Sequence, residues 1–309
     1  MLFRSDLRFH DDGTVSLCVG AQAMGQGHLA TYPALIAQRL GIDVSRVQLM
    51  AGDSDQTPGI VATVASRSTM MVGSAAALAC DESIRRGQAL AAQHLEAALE
   101  DVHFQNGLYT VAGTDRSVHL LDLTRLSKAN KASNQVALPS LDNVAKFTSP
   151  SMTYPNGCHV CEVEIDPDTG HVEVVAYTAV DDVGVMLQPQ VIEGQIMGGV
   201  AQGLGQALGE RLRYDPQGQL LTGSFMDYPM PRADTVPAMV IAHHSVPCRT
   251  NPLGVKGAGE SGVAGSLPSA MNAVLHALSY AGVSALDMPF TSERVWQALQ
   301  MAQPAQRRA

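Results

Sequence analysis

The two halves of the chain carry the same order of structural signals, and this internal repetition most constrains the fold. In the first half, LRFHD, an Asp12-Gly13 turn and TVSLCVG predict a β-hairpin, followed by the corner AMGQGH, a helix closed by Gly41 and a strand in VSRVQLMAGD. In the second half, HVCEVEID, a PDTG turn and HVEVVAYTAV predict another hairpin, followed by a Gly-rich helix and a strand in QLLTGSFMDY. The repetition predicts an α+β fold of two modules, residues 1–140 and 141–309, each with a mixed or antiparallel sheet and packed helices.

The remaining segments are assigned from periodicity. Residues 66–94 predict a long, largely buried helix, and residues 266–278 and 293–299 predict two more helices. The pattern is weaker over residues 107–151, where the polar stretch 127–135 predicts a surface connection.

Composition excludes several classes of protein. The net charge of −9 argues against a nucleic-acid partner, because a phosphate backbone attracts a basic face. No run reaches the roughly 18–20 apolar residues that span a bilayer, so no membrane association is expected. The start MLFRSDLRFHDDG has no apolar signal-peptide core, which favours a cytoplasmic location.

The five cysteines do not predict a disulfide framework or a metal site. Their number is odd, and the pair Cys158 and Cys161 has no second pair with which to form a zinc site. Because the pair lies in a strand-like run, positions three apart should point to opposite faces. We therefore favour a structural interpretation of this pair.

Two segments of the first half are candidate ligand sites. In Gly25-Gln26-Gly27, the glycines allow close backbone approach, and the amide offers both a donor and an acceptor; a simple strand-to-helix turn is an equal alternative. The second segment precedes the long helix, where hydroxyls and an arginine favour anion binding over ordinary N-capping. It comprises Thr63, Val64, Ala65, Ser66, Arg67, Ser68 and Thr69.

The third candidate is the small-residue loop NPLGVKGAGESG, residues 251–262, which suggests a carboxylate held on a tightly packed backbone. It fails the P-loop test because Lys256 is not followed by Ser or Thr. The stretch 194–209 fails the dinucleotide fingerprint because its glycines fall within a helix. Those glycines permit either close helix packing or contact with a flat ligand.

These segments, in this order, resemble the molybdopterin-binding large subunit of the xanthine dehydrogenase and aldehyde oxidase family, specifically its C-terminal part. The resemblance rests on AMGQGH, TVASRST, NGCHVCEVEIDPDTG, VDDVG, EGQIMGGVAQGLGQAL, LLTGSFMDYPMPRAD and NPLGVKGAGESG. It implies a molybdenum hydroxylase that adds water-derived oxygen to an aldehyde or N-heteroaromatic carbon. The cofactor implied is molybdopterin with molybdenum, as the cytosine dinucleotide.

The resemblance also assigns roles to residues. Glu260 matches the catalytic base and is expected to be buried in its loop. Gln26 and Gln195 match amides near the molybdenum, which the pterin holds without direct protein ligands. The stretch Ala65 to Thr69 matches the surroundings of the pterin and its phosphate end, Gly25 and Gly27 flank the first amide, and Lys256 and Gly257 match the backbone that places the glutamate.

The family's large subunit is more than twice as long as this chain. The expected partners are therefore the N-terminal half of the large subunit, an iron–sulfur subunit carrying [2Fe-2S], an FAD subunit and a small-molecule substrate. Two alternatives remain open: a truncated or split chain that contributes only structure or cofactor binding, and a phosphate-binding protein without molybdenum.

Overall fold

The computed structural model describes residues 3–57, 59, 61–132 and 140–302. The chain has an α+β fold and divides into two compact units. Unit 1 contains residues 1–154, 184–191 and 247–257, and unit 2 contains residues 155–183, 192–246 and 258–309. The boundary between the modules at residue 140 stays a prediction.

Unit 1 is built on a four-stranded sheet. Its order is β3-β2-β1-β7, with β1 at Phe3–Phe9, β2 at Val15–Val19, β3 at Val47–Ala51 and β7 at Asn143–Phe147. The helix α1 (His28–Leu40) connects β2 to β3, which are parallel, whereas β1 and β2 form the predicted antiparallel hairpin. Gly41 ends α1 in the left-handed region at φ 62°, as expected for a C-terminal glycine.

The predicted long helix is present and begins with a π turn. The π turn covers Thr69–Gly73, and α2 continues over Ser74–His94. The alanine-rich face of α2 is buried, and Ser5 Oγ donates to the carbonyl of Val72 at 3.2 Å. This bond joins the first strand to the helix, so the start of the helix is tied to the sheet.

Unit 2 contains a three-stranded sheet of order β10-β9-β8. The strands β8 (Asn156–Ile165) and β9 (Val172–Asp182) are antiparallel, and β10 (Met239–His243) is parallel to β9. The helix α4 (Pro189–Leu208) lies between β9 and β10 in the chain, and α5 (Ser261–Ser279) and α6 (Ser292–Ala302) follow. Ile196 and Val200 of α4 share a buried cluster with Tyr177 and Ala179 of β9.

The internal repetition predicted from the sequence is confirmed at the level of topology. Each unit contains an antiparallel hairpin, then a helix, then a strand parallel to the second hairpin strand. The predicted position of the third strand of unit 2 is wrong, however. QLLTGSFMDY forms only an isolated bridge between Tyr214 and Leu220 and a turn at Ser224, whose carbonyl accepts from the amides of Asp227 and Tyr228. The actual strand, β10, lies further along the chain.

Residues 107–151 contain regular secondary structure, although their sequence periodicity is weak. The strands β4 (Val102–Gln105), β5 (Leu108–Val111) and β6 (Ser117–His119) form a small antiparallel sheet, and α3 covers Leu120–Ala132. The polar stretch predicted as a connection is therefore helical over residues 127–132, and residues 133–135 lie outside the described residues. Polar composition alone does not distinguish a loop from a helix, because helices at protein surfaces also contain many polar residues.

Among the described residues, none of the helices combines the length and the apolar character required to cross a bilayer. The prediction that Cys158 and Cys161 point to opposite faces of their strand is confirmed. Cys158 lies on the exposed face of β8, Cys161 lies on the half-buried face, and both are free thiols.

Candidate functional site

The Gly-Gln-Gly corner and the segment before the long helix meet in unit 1. The carbonyl of Gln22 accepts hydrogen bonds from Gln26 Nε2 at 2.9 Å and from Thr63 Oγ1 at 3.0 Å. Gln26 Oε1 accepts from the amide of Met24 at 2.5 Å. These bonds hold the Gln26 amide in one orientation, next to the second candidate segment.

The two glycines of the corner have different roles. Both have positive φ, 97° at Gly25 and 82° at Gly27, which residues with a Cβ rarely adopt. A Cβ on Gly27 would lie 2.3 Å from Val191 Cγ1, so this glycine is required for packing at the start of α1. A Cβ on Gly25 would meet nothing within 4 Å, which leaves the backbone there open to a ligand.

The segment from Ala65 to Thr69 has an unusual backbone. Ala65 and Ser66 have φ values of 58° and 48°, a left-handed conformation that costs free energy for residues other than glycine. Ser68, which precedes the π turn, makes no side-chain capping hydrogen bond. The capping alternative is therefore not supported at Ser68, and strained backbone next to a π turn is typical of a functional site.

The loop that contains Lys256 and Gly257 packs directly on this segment. A Cβ on Gly257 would lie 2.0 Å from the carbonyl oxygen of Ser66, so only glycine fits. Asn251 fixes the loop by donating from Nδ2 to the carbonyl of Val255 at 2.9 Å and accepting from the Val255 amide at 3.2 Å. Unit 1 thus brings together Gln26, the segment from Ala65 to Thr69, and Gly257, while Arg67 and Lys256 supply positive charge.

Glu260 and Gln195 form a second group, in unit 2. Glu260 is the N-cap residue of α5, with φ −110° and ψ 0°, and its carbonyl accepts from the amide of Ala264. A Cβ on Gly262 would lie 2.2 Å from the carbonyl oxygen of Ile196, the residue that follows Gln195. The close approach of the two helices therefore places the Gln195 segment beside the start of α5.

The expected burial of Glu260 is wrong, because the residue is exposed. Its neighbours Gly259 and Ala258 are too small to cover a carboxylate at a helix start. Ser261, by contrast, is 6% exposed, and its Oγ has no hydrogen-bond partner among the described residues.

Gly199 and Gly203 of α4 serve helix packing, one of the two alternatives for the glycines of this helix. A Cβ on Gly199 would lie 2.8 Å from the amide nitrogen of Val263, and one on Gly203 would lie 2.0 Å from Ser266 Oγ. The backbones of α4 and α5 therefore touch, which fixes the start of α5.

Replacing Gly199 with alanine should lower the free energy of unfolding by about 1–3 kcal/mol, because backbone atoms of α5 occupy the space. The matched control is Gly198→Ala on the same helix, where a Cβ would meet nothing within 4 Å. That substitution should raise stability by about 0.5–1 kcal/mol, since alanine loses less conformational entropy. Urea unfolding of both variants measures the difference; equal effects would contradict close helix contact.

His28, the first residue of α1, is buried directly after the Gly-Gln-Gly corner. It is 4% exposed, stacks on Tyr32 with ring centroids 4.7 Å apart, and has no hydrogen-bond partner for Nδ1 among the described residues. Burial lowers the pKa of His28 to about 4. The imidazole is therefore neutral in the folded chain at pH 7.

This burial predicts a pH dependence of stability. Because the unfolded chain binds a proton near pH 6.5 and the folded chain only near pH 4, stability should fall as pH falls through that window. The contribution of His28 to the slope should be about 1.4 kcal/mol per pH unit. The slope should be smaller by this amount in His28→Gln and unchanged in His94→Gln, a control at an exposed position. Urea unfolding between pH 4 and pH 7 tests this; an unchanged slope in His28→Gln would refute it.

One contributor to these groups was missed by sequence reasoning, the carbonyl of Gln22. Thr63 and Ser261 lie within the second and third candidate segments, but no separate role was predicted for their hydroxyls. A backbone carbonyl carries no sequence signature, and the two hydroxyls resemble ordinary capping residues. The adjacency of Ser261 to Glu260 was the one available signal.

Comparison with known proteins places these observations in context. Residues 4–237 match the family model described as the molybdopterin cofactor-binding domain. The chain is 36% identical to the carbon monoxide dehydrogenase large chain of Hydrogenophaga pseudoflava over 95% of its own length. It is 34% identical to the nicotine 6-hydroxylase large subunit of Paenarthrobacter nicotinovorans over 94% of its own length. The chain spans only 36% of the length of each of these relatives.

Solved structures agree with the sequence comparison. Quinoline 2-oxidoreductase from Pseudomonas putida 86 has a TM-score of 0.87 and 32% identity, with 97% of this chain and 38% of that chain covered. A Cu,Mo-CO dehydrogenase structure has a TM-score of 0.89 and 32% identity, with 97% of this chain and 38% of that chain covered.

Proposed function

Because this chain belongs to the molybdopterin cofactor-binding domain family of molybdenum hydroxylase large subunits, we propose that it binds molybdopterin and supplies the catalytic base of a hydroxylase. The complete enzyme would insert water-derived oxygen at an aldehyde or N-heteroaromatic carbon. The observation that carries the proposal is the packing of Gly257 on Ser66, which brings two of the matched segments together in unit 1.

The residues of unit 1 fit a polar, phosphate-bearing cofactor. The oriented amide of Gln26, the open backbone at Gly25 and the strained hydroxyl-rich segment offer donors and acceptors at close range. Among the described residues, no group of three or more His, Cys, Asp or Glu could hold a metal ion. This donor set suits a metal carried by the pterin rather than by side chains.

In this proposal Gln26, the segment from Ala65 to Thr69, Lys256 and Gly257 hold the pterin and its phosphate end. Arg67 and Lys256 would neutralise the phosphate, for which arginine and lysine are the usual partners. Gln195 would donate a further amide hydrogen bond. When bound, the cofactor supplies the two-electron oxidation that hydroxylation requires.

Glu260 would act as general base. Its exposed carboxylate can accept a proton at an oxygen atom. The small neighbours Ala258 and Gly259 leave room for a substrate beside it. The buried Ser261 hydroxyl would provide a hydrogen bond once a ligand is present.

The wider enzyme is also a proposal. Several relatives are named as large chains or as subunits of a complex, which supports partner subunits in general. We infer that the cofactor is the cytosine dinucleotide form and that [2Fe-2S] and FAD reside on partner subunits. The N-terminal part of the large subunit would complete the enzyme, and the enzyme would be located in the cytoplasm.

The experiment is oxygen tracing in the enzyme expressed with its upstream coding sequence. Quinoline, nicotine, benzaldehyde and carbon monoxide would be offered in ¹⁸O-labelled water with an electron-accepting dye. We expect dye reduction with one class of substrate and label in the product. Dye reduction with unlabelled product would refute the reaction, and no turnover of any class by the metal-loaded protein would favour the non-catalytic alternative.

A further inference from the structure

A buried chain of polar side chains lies in unit 2, outside the groups described above. His159 of β8 and Asp181 of β9 have side chains that are 3% and 4% exposed, and His159 Nε2 lies 3.2 Å from Asp181 Oδ2. The other ring nitrogen, Nδ1, lies 2.8 Å from the hydroxyl of Tyr177. That hydroxyl lies 3.1 Å from Ser269 Oγ on α5.

The last bond of the chain determines the direction of the two bonds between Ser269, Tyr177 and Nδ1 of His159. Ser269 Oγ donates its only proton to the carbonyl of Ser266 at 3.1 Å, because a carbonyl can only accept. Ser269 must therefore accept from Tyr177, and Tyr177 must accept from His159. It follows that Nδ1 of His159 carries a proton. Burial raises the pKa of Tyr177 to about 12, so its hydroxyl keeps the proton that it donates.

The same histidine is packed tightly against α5. A Cβ on Gly265 would lie 2.4 Å from His159 Nδ1 and 2.5 Å from Cγ, so the ring rests directly on the helix backbone. Gly265 lies in the first turns of α5, shortly after its N-cap residue Glu260. The polar chain therefore attaches the beginning of this helix to both hairpin strands of the sheet.

We propose that His159 is a positioning residue, fixed by Asp181 on one side and by Tyr177 and Ser269 on the other, which holds the first turns of α5 and so the backbone that carries Glu260. The importance of this for catalysis rests on the proposed function. The claim that His159 holds the first turns of α5 does not rest on that function, because it concerns only the mobility of these turns. A polar network with every member paired is suited to such a role, since losing one member leaves buried groups unsatisfied.

The test is hydrogen exchange of the full chain, followed by mass spectrometry over residues 261–269. Tyr177→Phe removes one hydroxyl and keeps the ring. We expect amides in this segment to exchange at least 10-fold faster than in the wild type. The matched control is Tyr280→Phe, which removes a hydroxyl that also lies near a histidine nitrogen, His276 Nε2 at 3.2 Å, but at an exposed site. It should leave the segment unchanged.

A second pair of variants keeps the proposal testable if Tyr177→Phe does not fold. Ser269→Ala interrupts the chain at its end, whereas Ser279→Ala removes the equivalent bond from Oγ to the carbonyl three residues earlier, at an exposed position of the same helix. Faster exchange in Ser269→Ala alone supports the proposal. Wild-type exchange rates in both Ser269→Ala and a folded Tyr177→Phe would overturn it. Nitrogen-15 spectra showing His159 without a proton on Nδ1 would overturn the hydrogen-bond direction.

Activity measurements distinguish a failure of this proposal from a failure of the proposed function. In the complete enzyme, Tyr177→Phe should lower kcat at least 10-fold, with KM and molybdenum content unchanged. If Tyr177→Phe speeds exchange at the start of α5 but turnover of the wild-type enzyme does not depend on Glu260, the positioning role of His159 is supported and the proposed function is refuted. If Tyr177→Phe loosens the helix and leaves kcat unchanged, the link between His159 and Glu260 is refuted.

Discussion

Replacing Glu260 with glutamine in the complete enzyme should lower kcat by about 10²–10⁴-fold, the range for losing a general base. Glutamine keeps the size and hydrogen-bonding oxygen of the side chain but cannot take up a proton. Because Glu260 is exposed at the start of α5, stability and molybdenum content should not change. Steady-state dye reduction measures kcat, and metal analysis confirms equal loading.

The matched control for this prediction is Glu164→Gln, at an exposed position on β8 of the same unit. It removes one carboxylate without approaching the start of α5 and should retain wild-type kcat. A Glu260→Gln enzyme with full molybdenum content and wild-type kcat would exclude Glu260 as the base.

Replacing Gly257 with alanine should reduce the molybdenum content to less than a tenth of the wild-type value. The added Cβ would lie 2.0 Å from Ser66 O and 2.5 Å from Ser66 Cβ, so the loop and the strained segment must separate. Ser66 cannot easily yield, because its backbone is already held at φ 48°. Displacements of about 1 Å can cost roughly 100-fold in a positioned site.

Gly223→Ala is the control for Gly257→Ala, because the nearest atom to its added Cβ would be 3.7 Å away. It should bind the metal as the wild type does. Both variants should be purified from a host that makes the cofactor and compared by elemental analysis and circular dichroism. Full metal content in a folded Gly257→Ala protein would show that this contact does not shape the cofactor site.

The repeated hairpin, helix and strand of each unit could be predicted because each element has its own local signal. Alternation and an Asp12-Gly13 turn predict the first hairpin, and Gly41 marks the end of α1. The strand β10 was missed for the opposite reason. Its alternating MVIAH is only five residues long, whereas the more hydrophobic QLLTGSF is interrupted by Gly223 and turns at Ser224.

The candidate residues of unit 1 could be found from sequence, but their arrangement could not. Glycines around Gln26 and hydroxyls beside Arg67 are visible in the sequence, whereas the bond from Gln26 to the Gln22 carbonyl depends on the fold. The position of Gly257 on Ser66 joins residues nearly two hundred positions apart, and no local pattern encodes such a contact. The exposure of Glu260 likewise depends on the fold, which surrounds its side chain with small residues that do not cover it.

The most direct test of the central claim is the cofactor content of the protein expressed with its upstream coding sequence in a host that makes molybdenum cofactors. Elemental analysis and release of CMP by acid should give one molybdenum and one CMP for each large subunit. A well-folded protein that contains neither molybdenum nor nucleotide would contradict the assignment of these residues to a molybdopterin site.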